Sequence, residues 1–187
     1  MKIFFYTLRP YDELLAAEKI SRQMGIEFDY TEDYPDSENY MLADGCESIC
    51  VTPCDMSAPI LEKFASIGVK YIICRSVGYD HVDLAKAREL GMRVANVEYP
   101  PSGVANYAVM LMMMCERNIT QILRRADIQD FTLKGKIGHD ISFETVGVVG
   151  TGKIGTAVLK ALSGFGCRLL CSDPYKNEEA AKYAEYA

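Results

Sequence analysis

The chain has 187 residues, 49% of them apolar and 25% charged, a balance that suits one domain of usual size, or one and part of a second, around an apolar core. Its net charge of −6, with Lys and Arg dispersed and no basic run, argues against a nucleic-acid or membrane-surface partner, since both need concentrated positive charge. No stretch is apolar for long enough to cross a bilayer, and seven cysteines without framework spacing point to reduced thiols in a cytoplasmic protein.

Strand and helix patterns alternate through the first hundred residues. Lys2–Tyr6 predicts a strand and not a signal peptide, because no small-residue cleavage site follows. Helical spacing covers Pro10–Met24, and Ile26–Tyr30 and Ser48–Thr52 predict two more strands. Ala58–Ile67 predicts a helix, Lys70–Cys74 a strand, Val82–Leu90 a helix closed by Gly91, and Met92–Val97 a fifth strand. This order implies an α/β fold with a parallel sheet covered by helices on both faces. Cys46, Cys50 and Cys54 recur every four residues, but a strand crosses that interval and Pro53 breaks any helix, so no metal site is expected there. His81 and His139 lie far apart in sequence and form no metal pair.

Tyr99-Pro100-Pro101-Ser102-Gly103 is the clearest break and sets a domain boundary, 1–99 and 100–187. Ser102 is expected to cap a helix over Val104–Asn118 that is apolar on most sides, and such a helix must be buried between layers or in an interface. Gln121–Asp140 reads as irregular loop with one helical turn at its start. The tail, Asn177–Ala187, is helix-prone.

Thr145–Gly155 (TVGVVGTGKIG) carries the most chemistry. A buried-strand run ends in Gly150-Thr151-Gly152-Lys153-Ile154-Gly155, and a helix follows from Ile154 to about Ser163. Gly150 serves the tight turn, Gly152 lets backbone approach a pyrophosphate, Gly155 lets helix and strand pack closely, and Lys153 and Ile154 open a helix whose N-terminal amides suit phosphate. Cys167–Ser172 predicts the next strand, and Asp173 at its end stands where an acid bonds the adenosine ribose of a dinucleotide. A carboxylate there repels a 2′-phosphate and favours NAD over NADP; the plain alternative for Asp173-Pro174 is a turn. A doubly wound domain needs about six strands. Two are legible, so the remainder of that domain is expected to be missing, with the second strand left as an exposed edge.

Lys70–Val97, Tyr99–Tyr107 (YPPSGVANY) and the glycine segment together resemble the D-isomer-specific 2-hydroxyacid dehydrogenases, with most similarity to the D-lactate dehydrogenase and vancomycin-resistance branches. The resemblance implies a flavodoxin-like substrate domain, a Rossmann NAD domain of which only the first part is present, an active site between them, and a homodimer joined largely through the NAD domain. It places the backbone amides of Val77 and Gly78 on the substrate carboxylate, Tyr99 toward the substrate and Val104 beside the nicotinamide. It makes Gly78-Tyr79-Asp80-His81-Val82-Asp83 a structural segment, which denies His81 a catalytic role, and it gives His139 none. Asn106 departs from the acid common in the family.

The family's catalytic Arg, Glu or Asp, and His are expected beyond Ala187, so no catalytic residue is named. The expected activity is hydride transfer between NADH and a small 2-keto acid such as pyruvate; the rival is a non-catalytic nucleotide-binding or dimerisation module. Protein ending at Ala187 is expected to oxidise no NADH with a 2-keto acid, and measurable turnover by pure protein would refute this.

Overall fold

Four-residue apolar runs separated by amphipathic helices fold economically into a parallel sheet, because each crossover helix can bury its apolar stripe on the strands. The computed structural model, which describes residues 2–187, contains such a sheet. Its strands are β1 (Lys2–Phe5), β2 (Glu27–Tyr30), β3 (Ser48–Val51), β4 (Tyr71–Cys74) and β5 (Arg93–Asn96), all parallel in the flavodoxin-like order β2-β1-β3-β4-β5. The helices are α1 (Leu14–Met24), α2 (Ala58–Ser66) and α3 (Leu84–Glu89). The chain divides into two compact units, Met1–Tyr99 and Pro100–Ala187; Met1 itself lies outside the described residues.

The core of the first unit follows the period-two rule for strands. Phe4, Tyr6, Ile49, Val51, Ile72 and Cys74 form one buried cluster with Ile60, Leu61 and Phe64 of α2. The rings of Tyr6 and Phe64 meet edge-on at 5.6 Å, and the Tyr6 hydroxyl donates to the Asn39 carbonyl at 3.0 Å, so a buried polar tip is satisfied. By contrast α1 buries no residue. It begins at Leu14 and not at Pro10, because the Glu13 carboxylate accepts the Arg9 N–H at 2.9 Å and fixes Pro10–Glu13 as a turn.

The second unit has β6 (Thr145–Val149), β7 (Arg168–Ser172) and β8 (Glu185–Tyr186), parallel in the order β6-β7-β8, with helices α4 (Ser102–Glu116), α5 (Ile119–Ala126) and α6 (Lys153–Leu162). Helix α4 packs on α6, where Ala105, Ala108, Val109 and Met112 join Val158, Leu159 and Leu162 in one core.

Four expectations are corrected here. The tail is not a helix: a single 3-10 turn (Ala180–Lys182) leads into β8, because pairing with Leu170 and Cys171 outweighs local helix propensity. Strand β7 is therefore central and not an edge, and three nucleotide-type strands are present instead of two. Helix α5 runs two full turns, its Ile119, Ile122, Leu123 and Ala126 following helical spacing. Helix α4 fully buries Ala105 and leaves Tyr107, Met110 and Leu111 exposed, which accords with the interface alternative expected for it. Ser102 also lies inside α4 and caps nothing, since the helix starts one residue after Pro101.

The loop after α5 is held by charge. Asp130 accepts from the Thr132 hydroxyl at 2.7 Å and the Thr132 N–H at 3.0 Å, pairs with Arg125, and is bonded through its carbonyl by the buried Lys136. These partners, the Thr132 hydroxyl foremost, hold the Asp130 carboxyl well below the usual range.

Phe64→Ala removes the ring at the centre of the first core and is expected to destabilise that unit by about 3–5 kcal/mol. Urea unfolding checks this, and a loss under about 1 kcal/mol would contradict the packing described.

Candidate functional site

Gly150 takes φ 93°, a left-handed conformation that lets the chain turn sharply off β6. Gly152 then sits extended as the residue before α6, and a Cβ there would meet nothing within 4 Å. At Gly155 the case is opposite: a Cβ would overlap the Gly150 carbonyl, so only glycine lets the first turn of α6 lie this close to the end of β6. First-turn amides of a helix have no acceptor inside it and carry the positive end of its dipole. Gly152, Lys153 and Ile154 are exposed, so that end of α6 opens to solvent. The arrangement can receive an anionic oxygen pair without any basic side chain.

Asp173 belongs to the same construction. It follows β7, and its carboxylate accepts the Thr151 N–H at 2.6 Å and the Tyr175 N–H at 2.8 Å. These two backbone donors, with the Thr151 hydroxyl, hold its carboxyl below the ordinary aspartate range despite some opposing desolvation. The structure thus brings Gly150–Gly155 and Asp173 into one site. Sequence reasoning missed three residues that complete it: Thr151, Asn177 and Tyr186. The Asn177 amide donates to the Thr151 carbonyl at 2.6 Å, and the Tyr186 hydroxyl donates to Thr151 Oγ1 at 2.8 Å. No spacing signal marks them, because the last two act across 26 and 35 positions.

The first unit presents a second anion-shaped loop after β4. Three carbonyls there are engaged: Ser76 Oγ donates to Gly78 O at 2.6 Å, Asn96 Nδ2 to Val77 O at 2.8 Å, and Val97 N to Ser76 O at 3.3 Å. Among the described residues no acceptor takes the N–H groups of Val77 and Gly78, both of which are exposed. Tyr99, two residues beyond the Val97 bond, is 53% exposed. Arg75 anchors the base of the loop. Its guanidinium donates to the carbonyls of Tyr6 (3.2 Å), Thr7 (2.7 Å) and Cys50 (3.3 Å), across the β1/β3 point where strand order reverses. Thr7 there holds φ 54°, a strained conformation for a β-branched residue, and shares a 2.6 Å hydroxyl contact with Thr52. Val104 lies in the first turn of α4, partly exposed.

Other titratable groups are placed differently. Cys46 and Cys50 are buried, and burial pushes the half-buried Cys54 thiol up to about 12, which keeps it protonated and a poor ligand. His81 precedes α3 and bonds the Met56 N–H through its carbonyl at 3.2 Å, a structural link between segments. His139 is grouped with Glu116 and Glu144, its Nδ1 3.9 Å and 3.4 Å from their carboxylates. The His139 imidazole is 75% exposed, so the group is a surface cluster whose attraction requires a protonated ring.

The family model described as "D-isomer specific 2-hydroxyacid dehydrogenase, catalytic domain" matches residues 3–184. The chain belongs to this family. D-lactate dehydrogenase of Escherichia coli K12 is 38% identical over 182 residues, 96% of this chain and 55% of that protein. A D-specific alpha-keto acid dehydrogenase of Enterococcus faecium is 47% identical over 116 residues, 62% of this chain and 36% of that protein. The apo structure of the E. coli enzyme superposes with a TM-score of 0.87 at 37% identity, over all of this chain and 60% of that one. The NAD-complexed D-isomer-specific 2-hydroxyacid dehydrogenase of Lactobacillus delbrueckii ssp. bulgaricus gives 0.78 at 29%, over all of this chain and 58% of that one. The chain spans about half the length of the curated family relatives it matches. No helix among the described residues is long and apolar enough to cross a membrane.

Because the Asp173 carboxyl is lowered by folding, its contribution is present above the unfolded carboxyl range, near pH 4, and is lost as pH falls through the folded value. Carboxyl NMR titration is expected to find Asp173 below an unperturbed aspartate, with the Thr151 amide signal moving in step. An ordinary or raised Asp173 value would contradict the bonding described.

Proposed function

We propose that this chain supplies the cofactor-binding and carboxylate-binding parts of an NAD-dependent D-2-hydroxyacid dehydrogenase that acts on a small 2-keto acid such as pyruvate. One observation carries the reading: a glycine turn opening α6 is bonded directly to the acid that ends the next strand. In this reading residues 1–99 are the substrate domain and residues 100–187 the first part of the NAD domain.

The dinucleotide, when bound, supplies or accepts the hydride. The chain's own residues bind and orient. Backbone at Gly150, Gly152, Lys153, Ile154 and Gly155 cradles the pyrophosphate against the dipole of α6. Asp173, kept ionised by its donors, accepts from the adenosine ribose and repels a 2′-phosphate. Val104 packs beside the nicotinamide. Val77 and Gly78 direct their amides at the substrate carboxylate, while the engaged carbonyls of Ser76, Val77 and Gly78 face away. Tyr99 reaches toward the substrate. Neither His81 nor His139 is assigned the proton transfer.

The reading includes a homodimer. Tyr107, Met110 and Leu111 of α4 are exposed, and Ile128, Phe131, Leu133 and Ile137 after α5 are each at least 74% exposed, large apolar side chains that a second copy would cover. Sedimentation over a range of concentrations is expected to show a dimer, and a strictly monomeric chain would remove this part.

Fluorescence titration tests the cofactor. NADH is expected to bind, and NADPH to bind roughly tenfold or more weakly, a difference of about 1.4 kcal/mol. Failure to bind NADH, or equal affinity for both nucleotides, would overturn the assignment.

A further inference from the structure

We infer that Thr151 is a positioning residue for the dinucleotide, locked in place by Tyr186 and Asn177 from the last eleven residues of the chain. The inference rests on the nucleotide reading above. Thr151 stands between two glycines in a solvent-facing turn, yet it is 2% exposed while Gly152, Lys153 and Ile154 are open. Each of its polar atoms is engaged. Its N–H donates to Asp173 at 2.6 Å; its carbonyl accepts from Asn177 Nδ2 at 2.6 Å and Thr156 Oγ1 at 2.9 Å; its hydroxyl oxygen accepts from Tyr186 at 2.8 Å.

The donors have a fixed direction. The Tyr186 oxygen already accepts the Asn177 N–H at 2.8 Å, and its single proton has Thr151 Oγ1 at 2.8 Å against the Asn177 carbonyl at 3.4 Å. The phenol therefore donates to Thr151. The Thr151 N–H in turn donates to the Asp173 carboxylate, which can only accept. A run of hydrogen bonds thus links Tyr186 through Thr151 to Asp173. The register Cys171↔Tyr186 sets how far the phenol reaches.

Two consequences follow for binding. With its N–H and carbonyl both turned inward, Thr151 leaves the backbone no freedom to rotate the amides that follow, so these are aimed before the pyrophosphate arrives. A carboxylate offers about four acceptor sites. Thr151 N–H and Tyr175 N–H take two of those on Asp173, one on each oxygen, which leaves acceptor capacity for a ribose hydroxyl.

Tyr186→Phe deletes one O–H and keeps the ring. NADH and adenosine, which lacks the pyrophosphate, are titrated separately into ¹⁵N-labelled protein. Tyr186→Phe is expected to weaken NADH roughly fivefold, the effect of one hydrogen bond, and to leave adenosine unchanged. Tyr183→Phe is the control, because that hydroxyl donates to Glu179 and not to Thr151; it is expected to change neither. Thr156→Val removes a second donor to the Thr151 carbonyl and is expected to act like Tyr186→Phe, which keeps the test standing should one variant fail to fold. NADH affinity equal to the unaltered chain in the folded variants would overturn the inference, as would equal loss of NADH and adenosine, the mark of general loosening. If the unaltered chain binds no NADH, the nucleotide reading itself fails and takes this inference with it.

Discussion

A helix can aim its N-terminal amides past the end of a strand only if no side chain stands between the two, and Gly155 meets that condition against the carbonyl of Gly150. Everything proposed for the second unit depends on this approach. It brings the start of α6 beside the end of β6, which in turn places Thr151 within reach of Asp173, just past the end of the neighbouring β7. A single methyl group at position 155 would push α6 away and separate the turn from its acid.

Both candidate sites use the same physical device. At the C-terminal ends of parallel strands, carbonyls are tied down by side chains, and backbone amides are left to face an anion. Ser76 and Asn96 do this around Val77 and Gly78; Asn177 and Thr156 do it at the Thr151 carbonyl, while Asp173 accepts the Thr151 N–H. This resolves an apparent conflict with composition. A chain of net charge −6 can still present local anion sites, because oriented amides and a helix dipole act over a few ångströms, while the overall charge is screened by salt.

What the sequence made legible was what depends on neighbours in sequence. The five strands of the first sheet, the glycine turn, α6 and β7 all follow from periodicity and from Gly150, Gly152 and Gly155, whose roles are local. The misread tail has the opposite cause. The tail has the residues of a helix, but β7 captures Glu185 and Tyr186 as a third strand. Two-turn α5 was within reach, since Ile119, Ile122, Leu123 and Ala126 carry the helical spacing. Tyr186, Asn177, Arg75 and Asn96 carry no such signal, because each acts on a group 19 to 69 positions away and no local pattern encodes that distance.

The central claim is that the turn between β6 and α6, with Asp173, receives the phosphates and ribose of a dinucleotide. Residue-resolved ¹⁵N NMR during NADH titration tests it most directly. The account predicts that the largest amide shifts fall on Gly150–Gly155 and Asp173–Tyr175, saturating together at one affinity. Saturable binding that leaves those amides unmoved would contradict it.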